Sequence, residues 1–162
     1  MIKSRYKFCS LCGGRLKRRG RHLACIDCSF VNYLNPRPTA TAIILNRGRI
    51  LLTQRKNKPF KGFWDLPGGF VDYGETPELA LKRELKEELG LALKKSPELW
   101  KIYSGIYPDK NNPFYVTCVI YVVEIEDEDK IKLADWDELS AFKWISLRDL
   151  SPRDFMGLFT ST

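Results

Sequence analysis

The run from Gly69 to Leu91, GFVDYGETPELALKRELKEELGL, does most to limit what this chain can become. Glu84, Glu87 and Glu88 stand at i, i+3 and i+4, so a helix places all three on one narrow face. Leu81, Leu85 and Leu89 make a separate apolar stripe, which packs the same helix onto a core. Thr76 as N-cap, Pro77 at the first helical position and Gly90 beyond Leu89 mark its ends. Three carboxylates on one face repel one another unless a divalent cation lies between them. Oxygen-only ligands select a hard cation, Mg²⁺ or Mn²⁺, which takes phosphate oxygens as its remaining ligands. A solvated charged helix would account for the leucines and glutamates. It would leave Glu75 and the Pro67-Gly68-Gly69 turn ahead of the helix unexplained.

The same residues fit the pattern Gly-x5-Glu-x7-Arg-Glu-U-x-Glu-Glu-x-Gly-U, with U aliphatic. Gly69, Glu75, Arg83, Glu84, Leu85, Glu87, Glu88, Gly90 and Leu91 fill every fixed position. The run resembles the Nudix box, and Trp64 and Leu66 are similar to the usual lead-in to it. The resemblance covers roughly residues 37–150. It implies an α/β fold, an α/β/α sandwich around a mixed sheet. It also implies a metal-dependent hydrolase that cleaves within the diphosphate of a nucleoside diphosphate derivative. On this resemblance Glu87 and Glu88 are the main Mg²⁺ or Mn²⁺ ligands, and Glu84 is a further ligand or the base that activates water. The main-chain carbonyl of Gly68 is an added ligand, and Glu75 and Arg83 orient the carboxylates. Members of the family recruit one more carboxylate from a loop beyond the box. Glu138 is the candidate here, ahead of Asp137 and residues 126–129. By analogy with dimeric relatives, a homodimer is expected.

The first fifth of the chain reads differently. The protein carries 27 Lys/Arg and 20 Asp/Glu, a net charge of +7. Residues 1–33 contain eight of those bases and one acid, and the remainder is balanced. Cys9-x2-Cys12 and Cys25-x2-Cys28 stand twelve residues apart in this segment, a spacing that suits tetrahedral Zn²⁺. Disulfides are the competing use, but nothing here marks the chain for export. His22 reads as a loop residue and Cys118 as a small core hydrophobe. The expected organisation is a zinc ribbon over 1–34, with structural Zn²⁺, and a Nudix hydrolase domain over 35–162. Asn35-Pro36-Arg37-Pro38 is expected to be the linker between them. Arg15, Lys17, Arg18, Arg19 and Arg21 offer a basic surface for RNA, or a solvated tip; the flanking Phe8, Phe30 and Tyr33 show no stacking pattern in the sequence.

β-branched and apolar runs predict a hairpin over 39–45 and 49–55, strands over 98–107, 115–125 and 142–145, and partly helical chain from Leu147. No apolar run is long enough to span a membrane, and the basic N-terminus lacks a signal-peptide apolar region, so a cytoplasmic address is expected.

A ribbon ahead of a Nudix domain is similar to the NADH pyrophosphatases, including those that remove NAD caps from RNA. The Ser-Gln-Pro-Trp-type motif of that branch does not follow Leu91. The resemblance therefore runs closer to FAD and ADP-ribose pyrophosphatases, which makes ADP-ribose or FAD the expected substrate. Tyr107-Pro108 combines markers of ADP-ribose and of dinucleoside polyphosphate hydrolases and decides between neither. Arg37, Arg55 and Tyr107 are the candidate substrate contacts, with Tyr103 and Phe114 beside them. Hydrolysis of oxidised nucleoside triphosphates is another alternative. A nucleic-acid-binding or regulatory protein is the alternative from a different class, but such relatives usually lose a box glutamate and this chain keeps all of them.

Overall fold

A computed structural model describes residues 6–107 and 113–151. The chain divides into two compact units that part between Pro36 and Arg37. The first is a three-stranded antiparallel sheet of β1 (Leu16–Arg19), β2 (His22–Cys25) and β3 (Val31–Tyr33). His22 lies in β2 rather than in a loop, with its ring 5.7 Å from that of Tyr33.

The second unit is built on a mixed sheet. β4 (Arg37–Asn46) and β5 (Arg49–Arg55) form the predicted hairpin, with β4 beginning two residues earlier than expected, inside the presumed linker. Arg47 and Gly48 both have positive φ, 46° and 75°, the requirement of a tight turn whose twist matches the strands. β6 (Trp64–Asp65) and β7 (Gly68–Phe70) follow, then helix α1 (Pro77–Leu89) and strands β8 (Glu98–Tyr107), β9 (Phe114–Glu124) and β10 (Leu139–Ser146). The strand order is β10-β5-β4-β9-β8, and β4 runs parallel to β9 while the other pairs are antiparallel.

One departure from a regular sheet places the site. β4 and β5 pair only beside their turn, at Leu45–Ile50 and Asn46–Arg49. Farther along they separate: β7 pairs with Thr39–Thr41 of β4, and β6 pairs with Thr53–Gln54 of β5. The Leu66–Pro67 segment bridges the gap, and Ala42 N–H donates to the Pro67 carbonyl at 2.9 Å.

Alternation in β4 buries Ala40, Ala42 and Ile44 on one face. α1 lies over these small side chains through Ala80, Leu81, Leu85 and Leu89, joined by Val119, Tyr121 and Val123 of β9. Complete burial of the three leucines stabilises the fold by about 1.5–3 kcal/mol each. The opposite face carries a smaller cluster around Ile50, Leu52 and Leu66. α1 starts and stops where its sequence signals place it. Thr76 Oγ1 accepts from Leu79 N–H at 3.3 Å, and Gly90 (φ 63°) ends the helix with Gly90 N–H on the Lys86 carbonyl and Leu91 N–H on that of Leu85.

Among the described residues α1 is the one α-helix, and no helix is long and apolar enough to cross a membrane. The expected helix from Leu147 corresponds to a turn over 147–149, and its continuation lies outside the described residues. Pro108 and the side chain of Asp129 lie outside them as well.

Candidate active site and metal centres

The sharp turn after β6 brings the start of β7 against the second half of α1. Gly68 has φ 133°, and a Cβ there would lie 2.2 Å from the Ala40 carbonyl oxygen, so only glycine permits this approach to β4. A Cβ on Gly69 would lie 2.3 Å from Glu84 Oε1. The two glycines therefore make room for the carboxylates as well as for the turn.

Arg83 organises the helix face. Its Nε donates to Glu75 Oε1 at 2.9 Å and its Nη2 to Glu75 Oε2 at 3.0 Å, a paired contact spanning the loop and the helix. Nη2 also donates to the Phe70 carbonyl at 3.0 Å, while Nη1 donates to Glu84 at 2.8 Å and Glu87 at 3.1 Å. Arg83 holds the Glu75 carboxyl below the usual carboxylate range, helped by the Asp72 N–H.

Glu88 is the buried member of the set, 6% exposed. Its Oε2 accepts from Gly68 N–H at 3.0 Å. Burial pushes its pKa up to about 8; the Gly68 N–H opposes this, and the nearby carboxylates of Glu84, Glu138 and Asp65 add to it. Burial likewise raises Glu84, against the pull of Arg83 and with repulsion from Glu87 and Glu138. The carbonyl of Glu88 accepts from Ala134 N–H at 2.9 Å, and that of Leu89 from Lys132 N–H at 3.0 Å, which ties this end of α1 to the segment leading to β10.

That segment delivers Glu138. Asp135 Oδ1 accepts from the N–H groups of Asp137 (2.9 Å) and Glu138 (3.0 Å), and Lys56 N–H donates to the Glu138 carbonyl at 2.8 Å. Glu84, Glu87, Glu88, Gly68 and Glu138 all line one cleft of about 460 Å³, together with Arg55 and Tyr107. Arg37 does not line it; its guanidinium lies 4.1 Å over the ring of Phe114, which stacks on Tyr107 at 5.0 Å.

The donor set suits a hard divalent cation. It offers oxygen only, and it gathers like charges whose mutual repulsion a cation relieves. In the first unit, all four cysteine Sγ atoms lie within 4.8 Å of one another. The separations are 3.8 Å for Cys9–Cys28 and 3.5 Å for both Cys12–Cys25 and Cys12–Cys28. A tetrahedron with metal–sulfur bonds of about 2.3 Å has edges of about 3.8 Å, whereas a disulfide needs about 2.05 Å. Leu11 and Asp27 N–H groups point at Cys9 and Cys25 sulfur at 3.4 Å, which favours thiolates.

The NUDIX domain family matches residues 35–158. The chain belongs to the Nudix family. It is similar to an ADP-ribose pyrophosphatase of Methanocaldococcus jannaschii, 43% identical over 93 residues, which is 57% of this chain and 53% of that protein. Similarity to the NAD-capped RNA hydrolase NudC of Vibrio cholerae is lower, 28%, but extends over 149 residues, 90% of this chain and 51% of that one. The chain thus spans about half the length of these curated relatives. Among solved structures, a MutT NUDIX hydrolase from Burkholderia pseudomallei superposes with a TM-score of 0.66 at 33% identity, covering 77% of this chain and 94% of that one.

Two residues of the Nudix cleft escape a reading of the sequence. Asp65 lines it from β6, and burial pushes its carboxyl up to about 6 against the Leu66 N–H and the charge of Arg55. The available signal is its position as an acid between the apolar Trp64 and Leu66. Cys118 is half-buried and faces the cleft rather than the core, with Sγ donating to Thr41 Oγ1 at 3.5 Å. The parallel register Thr39–Cys118 decides that orientation, and no local pattern encodes it.

Proposed function

We propose that the protein is a Mg²⁺- or Mn²⁺-dependent pyrophosphohydrolase that cleaves the diphosphate of a nucleoside diphosphate derivative, ADP-ribose or FAD. One observation carries the reading: a buried Glu88 carboxylate facing a cleft with Glu84, Glu87 and Glu138, behind a glycine turn that leaves room for them. Bound there by Glu84, Glu87 and Glu88, the cation would offset diphosphate charge and lower the pKa of a coordinated water. The chain's own residues supply the rest. Arg83 and Glu75 hold Glu84 and Glu87 in place, and Gly68 N–H orients Glu88. Glu84 or Glu138 takes the proton from water. Arg55, whose Nε is buried without a hydrogen-bond partner among the described residues, faces the cleft where substrate phosphate would meet it. The four-cysteine centre holds structural Zn²⁺.

Similarity to the Methanocaldococcus ADP-ribose pyrophosphatase supports ADP-ribose. Similarity to NudC over 90% of the chain favours a second reading, an NAD-derived substrate that includes capped RNA.

Product analysis with Mg²⁺ across ADP-ribose, FAD, NADH, NAD-capped RNA, diadenosine polyphosphates and oxidised dGTP tests both. The expected result is AMP from ADP-ribose or FAD, lost in Glu87→Gln. Turnover of NADH or capped RNA alone would replace the first reading with the second. No turnover of any compound with Mg²⁺ or Mn²⁺ would overturn the hydrolase reading.

A further inference from the structure

The basic ribbon shows no stacking pattern along its sequence, but strand pairing creates one. Directly opposed residues of an antiparallel ladder project to the same face, and residues two apart along a strand share it. Arg19 stands opposite His22, and His22 opposite Tyr33. Their side chains therefore form one row, in which the His22 and Tyr33 rings meet at 5.7 Å and 49°. Two and four residues back along the chain, Lys17 and Arg15 share the face of Arg19, and Phe8 bridges to Arg15. The other face of the sheet carries Leu23, which is 5% exposed, and is the packed side. On the first face Phe8 and Tyr33 are 63% and 67% exposed.

One sheet face thus presents three cations between two exposed aromatic positions. Arg15 and Arg19 lie about 13 Å apart at ~3.3 Å per residue. The unit that carries them holds the whole excess charge of the protein. We propose that this face is a binding site for a single-stranded nucleic acid, with Phe8 and the His22–Tyr33 pair stacking on bases and Arg15, Lys17 and Arg19 following the phosphates. A single strand matches both features, because its bases are free to stack and its phosphates repeat beside them. A duplex hides its base faces, and a bare polyanion has none. The proposal is independent of the hydrolase reading.

The test is fluorescence anisotropy of a labelled 12-nucleotide RNA with the full chain. Three contacted phosphates predict a log–log salt slope of about −2, or roughly 20-fold weaker binding at 200 mM than at 50 mM salt. Lys17→Ala with Arg19→Ala is expected to flatten the slope by about 1.4. Tyr33→Ala is expected to weaken binding about tenfold while Tyr33→Phe retains it, because the ring and not the hydroxyl stacks. Unchanged thermal unfolding shows that the variants remain folded. Tyr33→Ala binding as tightly as Tyr33→Phe would overturn the proposal. So would an unaltered slope in the double variant, equal or tighter binding of duplex RNA or inorganic polyphosphate, or no binding at 50 mM salt.

Discussion

Replacing Glu88 by Gln without added divalent cation separates the cost of burying this carboxyl from its proposed use in holding a cation. Glutamine keeps the volume of the side chain and an acceptor for Gly68 N–H, and removes only the charge. The Glu88 carboxyl titrates near 8 in the fold against a reference of 4.5, so the folded state holds a proton that the unfolded chain has released between those values. Stability then falls as pH rises through that window, because folding at pH 7 requires proton uptake. The cost at pH 7 is on the order of 3 kcal/mol, and below about 1 kcal/mol at pH 5. Glu88→Gln escapes it. Its melting temperature at pH 7 should exceed that of the wild type by about 6–12 °C, with the gap shrinking towards pH 5. Saturating Mg²⁺ should reverse the order, since the cation stabilises only a protein that can bind it. Calorimetry at pH 5, 6, 7 and 8, with and without Mg²⁺, provides the measurement. A wild type that melts above Glu88→Gln at pH 7 without Mg²⁺, or a gap that does not change with pH, would refute the reasoning.

Other perturbations reach different parts of the molecule. Gly69→Ala places a methyl carbon on the Glu84 carboxylate, and is expected to lower kcat at least tenfold with a small change in melting temperature. Glu75→Gln removes half of the paired contact with Arg83 and should lower both the denaturant midpoint and kcat. Leu85→Ala opens a cavity under a fully buried side chain and should cost about 2–5 kcal/mol in the same assay. Cys12→Ser removes one of four converging sulfurs, and metal analysis should find zinc in the wild type and none in the variant.

Legibility followed the range of the interactions. Both ends of α1, its leucine stripe and its glutamate face depend on contacts within a few residues, and helical periodicity displays them. The β4–β5 hairpin was visible for the same reason, through its turn and its β-branched strands. Cys118, by contrast, looked like a core residue because its own strand is apolar. Its partner Thr41 lies 77 residues away, and the parallel β4–β9 register turns both towards the cleft. Arg37 looked like linker and is strand, because β9 supplies the hydrogen bonds that a Pro-flanked segment cannot make with itself.

What the sequence alone determined is the chemistry available: three box glutamates with their arginine brace, a glycine turn, four thiols, and a basic first fifth. Tertiary structure decided which of these act together. The separation of β4 from β5 opens the cleft and admits Asp65, and the Asp135 turn carries Glu138 to Glu84 and Glu88. Pairing of β1, β2 and β3 converts scattered bases and rings into one face. Burial then turns Glu88 from an ordinary acid into one that holds its proton near neutrality, because desolvation depends on what surrounds a carboxylate in space and not on its neighbours in the chain.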